Sequence, residues 1–321
     1  MISFKNRPIV NHKLKDLLAA KQAAVVVVGW MMCLSAVAQP NESPPSDSVA
    51  PQHRRSWLYA GAAYGVAQAG LYAAWYRNQP RQPFRFFNDG AQWKQVDKVG
   101  HFYSAFQLSR ASTALAERLG TRRSAEQVGG VVGWLLLLPV EVFDGFSQAY
   151  GFSWHDLAAN AAGSAWWMGQ HALWGEVRVA PKFSFHRTAL AAERPNTLGR
   201  NLPEEILKDY NGQTYWLSVD LHAFLKGRYP GFPKWLNVAV GYGAHQMLHA
   251  REDANRAAGY SAYREWYLTL DLALHYYQKP PVTFGNQLWN GLLYAVSLVH
   301  LPAPALSYRT GRGFAFYPVY F

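Results

Sequence analysis

Cysteine is almost missing from this 321-residue chain: the single one is Cys33. An intrachain disulfide is therefore excluded, and packing must supply the stability that secreted domains often take from cross-links. Charge is scarce as well. Only 16% of the residues are Asp, Glu, Lys or Arg, against about 25% in an ordinary soluble domain. Acids are the scarcer sign, 20 against 31 basic residues, for a formal charge of +11. No nucleic-acid motif accompanies that excess, so nucleic acid is not an expected partner. There is no internal repeat and no long low-complexity tract. What the chain does have is apolar and aromatic surface: 15% aromatics, with 13 Trp and 19 Tyr. Rings with one polar atom suit a membrane interface, and they equally suit a large aromatic core.

The first 38 residues carry Lys5, Arg7, Lys13, Lys15 and Lys21 against Asp16, then the uncharged run Ala23 to Ala38, which ends Ala36-Val37-Ala38. A basic segment, a short apolar segment and a small-x-small end read as a secretory signal peptide; an uncleaved anchor is the alternative, although the run is short for a spanning helix. Removal would leave a formal charge of +7. A basic exported protein points to membrane lipid or envelope glycan as partner, in the periplasm or at the outer membrane, with the inner membrane as the alternative. Cys33 follows "WMM" rather than a lipobox, so no lipid attachment is expected.

Residues 39–55 are polar and Pro/Ser-rich, a flexible linker. Ser56 to Tyr76 holds no charge and is long enough to span a bilayer or to form a core helix; Gly61 and Gly65 are spaced to let another helix approach. Helices are expected over about Gln95–Arg118, Ala125–Tyr150 and Gly151–Trp174, the last with Ser153 as N-cap. The expected fold is mainly α: a hydrophobic four-helix bundle over 56–175, followed by a C-terminal α+β extension, 176–321, with a small antiparallel sheet. In that extension "KFSFHRT", "WLNVAVGYGA" and "REWYLTLDLALHYY" alternate as strands. "ILKDYNGQTYWLS" looks helical in part, with Asn211-Gly212 as a turn, and "GNQLWNGLLYAVSLVH" looks helical up to Pro302 and Pro304. The closing "RGFAFYPVYF", ending on Phe321, resembles the last strand of outer-membrane barrels, but three to five strands are fewer than the eight such a barrel needs.

Three expected helices carry polar groups at helical spacing. Asp97 and His101 stand four apart with Lys98 beside them; Glu141 and Asp144 three apart, with Gln148 beyond; Asp156 and Asn160 four apart. Residues so spaced share a face, and an apolar surrounding penalises each group unless they meet. Three uses are open. His101, Glu141, Asp144 and Asp156 offer N and O ligands for a metal, although the Glu-x-x-His pair of di-metal bundles is absent; no cofactor follows from the sequence. His101, oriented by Asp97 or Glu141, has the chemistry of a general base, and Ser104 and Ser109 are nearby hydroxyls without an elbow motif. Otherwise Lys98, Ser153 and the carboxylates form a buried network that fixes helix packing or binds a headgroup.

The stretches "DKVGHF", "EVFDG" and "GFSWHDLAANAAGS" resemble the YfiM-like predicted periplasmic lipoproteins, a domain-of-unknown-function family. Asp97, Lys98, His101, Phe102, Glu141, Asp144, Gly151, Ser153, Trp154 and Asp156 carry the pattern. The same order is more loosely similar to VanZ-type membrane proteins. The resemblance implies an envelope location and a helical fold, and no settled activity. Two functions follow as expectations: a non-enzymatic, membrane-associated envelope protein whose polar cluster is structural or binds a lipid or glycan headgroup, or a hydrolase or transferase acting on an envelope lipid with His101 as base. In the extension, His186, Arg187, Arg194, Lys208 and Asp209 are further polar candidates.

Overall fold

A computed structural model of the chain describes residues 80–118, 124–148 and 150–321, with positions 58, 61–62, 64–66, 68–70, 72 and 76 before them. The expected signal peptide and linker lie outside the described residues. The main helices are α1, Val96–Arg118; α2, Ala125–Leu135; α3, Leu138–Gly145; α4, Trp154–Trp174; and α5, Phe284–Ser297. The strands are β1, Val179–Phe185; β2, Gln213–Asp220; β3, Leu236–His245; β4, Tyr263–Leu272; β5, Ala303–Arg309; and β6, Gly313–Tyr320. Each strand pairs antiparallel with the next, giving one six-stranded sheet in sequence order.

This corrects the expected fold class. About 49% of the structure is helix and 22% strand, with no four-helix bundle. Two misread stretches account for much of the difference. The apolar run 125–145 is long and apolar enough to cross a membrane as one helix, by length and composition. It is instead two helices, because the chain turns at Leu136 and Leu137 and restarts with Pro139 in the first turn of α3, where a missing N–H costs nothing. The stretch after Asn211-Gly212 is not helix but β2.

α1 is the centre of the helical layer, and small residues decide what it touches. A Cβ added to Gly133 would lie 2.5 Å from the Ser109 backbone nitrogen, and one at Gly129 the same distance from that of Thr113. At Gly163 of α4 it would lie 2.1 Å from the Phe102 carbonyl oxygen. Glycine here removes the side chain that would hold the backbones apart. Among the described residues nothing lies within 4 Å of a Cβ added at Gly61 or Gly65.

The sheet curls on itself. Lys182 on β1 reaches Asp271 on β4, at 2.6 Å. Tyr320 on β6 meets the Thr214 hydroxyl of β2 at 2.9 Å and donates to the Tyr267 hydroxyl of β4 at 2.8 Å. On the β1 side, Phe183 exchanges backbone hydrogen bonds with Leu298 and His300. The space inside the curl is polar and filled. Glu265 accepts from Ser307, Arg309 and Tyr317, and His300, fully buried, stacks on Trp216 with centroids 4.1 Å apart. The first part of α1 lies against the outside of the curl, where Val96 packs with Tyr242, Ala244 and Met247.

The alternation of "REWYLTLDLALHYY" divides β4 into an apolar and a polar face. The two faces are there, but the apolar one is outside. Glu265, Tyr267, Thr269 and Asp271 are buried, while Trp266, Leu268, Leu270 and Leu272 are exposed. Strand periodicity is symmetric between inside and outside; here mutual pairing of the polar groups decides which face closes.

The helix contacts give a direct test. Gly133→Ala should lower stability in urea melts by about 1–3 kcal/mol, the usual cost of overpacking. Gly61→Ala, with no described residue within 4 Å of the added Cβ, should leave stability unchanged or slightly raised. Equal effects at both sites would refute the close contact.

Candidate functional site

The polar side chains of α1, α3 and α4 meet where the three helices converge. Lys98 is at the middle. Its Nζ lies 2.6 Å from Asp89 Oδ2, 2.8 Å from Asp97 Oδ2 and 2.5 Å from Asp156 Oδ1. His101 lies one turn on. Its Nδ1 is 3.1 Å from Asn160 Oδ1 and 3.4 Å from Glu141 Oε1, and its Nε2 is 3.6 Å from Asp156 and 3.8 Å from Asp97. Asn160 donates to Glu141 Oε1 at 3.2 Å. Ser153, the N-cap of α4, accepts from the Asp156 N–H and donates to Asp89 Oδ1 at 2.6 Å. The cap thus ties a loop carboxylate to the positive end of α4.

The approach to α1 is unusual. Trp93, Lys94 and Gln95 have φ of 47°, 50° and 66°, a left-handed run that costs roughly 1–2 kcal/mol per residue. It is held from several sides. Trp93 N–H donates to the Ala250 carbonyl, Lys94 pairs with Glu252 at 2.6 Å, and Gln95 accepts from Arg264. This turn is what aims the first residues of α1 into the cluster.

Most of the group is deeply buried: Glu141 and Asn160 are 1% and 0% exposed. Burial pushes the Glu141 carboxyl up to about 8 and that of Asp144 up to about 7. Burial also raises Asp156, to about 6, with Lys98 and His101 opposing. At Asp89 and Asp97 burial works the same way but loses: hydrogen bonds from Lys98 and Ser153 hold Asp89 low, and the charges of His101 and Lys98 hold Asp97 low. His101 is raised, because Asp97, Asp156 and Glu141 together outweigh its burial. Lys98 is raised for the same reason, chiefly by Asp97 and Asp156. At neutral pH the Lys98 ammonium therefore stands among the low carboxyls of Asp89 and Asp97, while Glu141 and, at the edge, Asp144 keep much of their proton.

Of the residues read from the sequence, Asp97, Lys98, His101, Glu141, Ser153, Asp156 and Asn160 come together. Asp144 stands at the edge, accepting from the Tyr76 hydroxyl at 2.7 Å, and the Gln148 backbone bonds with Pro80 and Arg85 away from the centre. Ser109 is buried, donating to Ala105 O and sharing a hydrogen bond with the Ser164 hydroxyl, both within α1–α4 packing. As metal ligands, Asp97, His101 and Asp156 offer atoms within 4.8 Å of one another; Glu141 and Asp144 fall outside that group. Two members have no signal in the sequence. Asp89 sits in "NDG", which reads as a turn. Tyr210, whose hydroxyl donates to Asp97 Oδ1 at 2.7 Å, precedes Asn211-Gly212 and ties the helical layer to the start of β2. Asn211 itself is buried, accepting from Met247 N–H and donating to Met247 O.

In the extension, Arg187 pairs in two bonds with Glu205, Lys208 with Glu204, and Asp209 accepts from Thr188. Arg194 donates to Leu248 O. These residues brace the loop between β1 and β2 and stand apart from the centre. A cavity of about 390 Å³ lies on the other side of α1, lined by Val99, Phe102 and Tyr103 and by Leu217, Val240 and Trp266 of the sheet. At 100° per residue those α1 positions oppose Asp97 and His101, and none of the carboxylates lines the cavity.

A buried ion-pair centre shared by three helices and their loops defines the class of this domain: a polar-centred helical module built against a sheet. Residues 85–168, from the first loop through most of α4, match the family described as "Predicted periplasmic lipoprotein (DUF2279)". The matched stretch contains every member of the centre except Tyr210. The family description agrees with an exported protein of the periplasm or outer membrane. No curated protein and no solved structure matches the chain.

The raised acids give the centre a pH signature. Glu141 keeps its proton up to about pH 8 in the folded chain, against an ordinary value of 4.5. Between those values the folded state binds the extra proton, so stability falls as pH rises. The raised His101 acts in the same direction. Buried His186 and His300 are lowered and act the opposite way, so the signature is a difference: between about pH 5 and 8 the stability of the parent chain in melts should fall relative to that of Glu141→Gln. A difference that stays flat or rises through this window would contradict the arrangement.

Proposed function

We propose that the chain is a non-enzymatic exported envelope protein that works at a membrane surface, with the Asp/Lys/His/Glu centre as a structural clamp. What carries this reading is the Lys98 ammonium. It pairs with carboxylates from α1, α4 and the loop before α1 within 2.8 Å. A cation so enclosed neutralises the groups that would otherwise bind or activate a substrate. The clamp also explains Tyr210, which joins Asp97 to the sheet. The reaction chemistry that His101 suggests is weakened by its own surroundings: the three carboxylates around the imidazole favour its protonated form, which cannot act as a base. Support for the membrane surface comes from the positive charge, the abundance of Trp and Tyr, and the exposed apolar residues.

One observation favours a second reading, in which the centre takes a small divalent cation. The His101 side chain keeps 23% exposure beside Asp97 and Asp156. The two readings separate in one experiment. If the centre is a clamp, Lys98→Met should cost about 3–5 kcal/mol, the penalty for leaving buried charge unpaired. Lys98→Arg should recover part of it, and added zinc or manganese should leave the melting temperature of the parent chain unchanged. A rise with metal that His101→Ala abolishes would favour the cation. A Lys98→Met chain as stable as the parent would overturn the clamp.

A further inference from the structure

The outer wall of the curled sheet is built the wrong way round for water. One row of outward side chains crosses five strands in register: Leu217, Val240, Leu268, Leu306 and Phe316. They are 39%, 46%, 51%, 47% and 65% exposed. Behind them, on the same strands, stand buried Ser218, Thr269, Glu265 and Asp271. The wall cannot exchange its faces. A one-residue slip would turn every side chain over, and would break the Lys182–Asp271 pair and the three bonds to Glu265. Among the described residues α1 lies against the wall over β1 to β3, and across a cavity from Trp266 of β4. The remainder is a continuous apolar surface of the kind that marks an interaction site.

The surroundings of the wall identify its occupant. At the end where β2 and β4 finish, Tyr229, Trp235, Tyr277 and Trp289 are exposed. Exposed Arg228, Lys234 and Lys279 stand among them, Lys279 lies 5.8 Å from the Trp289 ring centre, and Lys226 nearby pairs with Glu176. Aromatic rings with cations beside an apolar band are the composition of a bilayer interface, and the cations complement anionic headgroups. α5 rises from the same end. Phe284, Leu288 and Leu292 lie four residues apart on one exposed face, while Leu293 is buried. A helix with an outward apolar face suits the plane between headgroups and acyl chains.

We propose that the outer wall of β3–β6 seats against the acyl chains of an anionic phospholipid bilayer. The inference rests on the envelope reading and adds the surface and the ligand class. It is independent of what the polar centre does.

The test places a probe on the wall. In the full chain with Cys33→Ser, Leu268→Cys, Phe316→Cys and Asp253→Cys are each labelled with an environment-sensitive fluorophore. Asp253 is the control, 69% exposed in the short helix Glu252–Ala257 before β4. Thermal melts check folding of each. With vesicles of phosphatidylethanolamine and phosphatidylglycerol, the probes at 268 and 316 should shift to the blue and be quenched severalfold by brominated acyl chains. The probe at 253 should not change. Leu268→Glu with Leu306→Glu should abolish quenching at 316. If the chain binds vesicles while 268 and 316 stay in water, this surface is wrong and the envelope reading stands. If the chain does not bind vesicles at all, both fail. A blue shift that needs no vesicles and grows with protein concentration would assign the wall to a second copy and overturn the proposal.

Discussion

An ammonium in an apolar interior must bring its counter-charges with it, and the Lys98 group settles much of this architecture. Each of its three carboxylates comes from a different piece of chain. Asp89 fixes the loop, Asp97 the start of α1, and Asp156 the first turn of α4. Ser153 and Tyr210 extend the same network to the α4 cap and to the sheet. Such a centre adds little net stability compared with an apolar core. What it supplies is a single arrangement, because any other placement of these helices would leave charge buried without a partner. The left-handed run at Trp93 to Gln95 is a local cost that this arrangement imposes.

The sheet solves a similar problem by different means. Its polar groups also face each other, but they do so inside a curl of strands rather than between helices. The Lys182–Asp271 pair and the Glu265 hub bring the charges of the interior together. The two polar interiors are linked through Tyr210 and the short connection to β2, and between them α1 packs on the apolar wall. The chain is thus organised around two buried polar groupings, with apolar surface displaced outward.

Much of the helical layer is readable in the sequence. The four-residue spacing of Asp97 with His101 and of Asp156 with Asn160 sets each pair on one face, and the cost of single buried charges argues that they meet. Alternation marks β1, β3, β4 and β6. The rest is hidden for physical reasons. Consecutive Tyr215, Trp216 and Leu217 mask the period of β2, and Pro302 and Pro304 disguise the start of β5 as a helix stop. Period two does not say which face is inward, so the inversion of the sheet could not be read. Asp89 looks like a turn residue, and nothing near Tyr210 announces a contact 113 positions away.

That distance has a kinetic meaning. The Asp97–Tyr210 bond spans 113 residues and the Tyr103–Leu298 bond 195, so the helical layer cannot be completed from its own segment. Topologies dominated by such remote contacts fold slowly, because loop closure must precede the contacts that reward it. Until β2 and the segment before β5 arrive, α1 lacks part of its support and the strands present bare edges. The protein's exposure to aggregation and proteolysis is therefore concentrated in the interval before its last hundred residues join the fold.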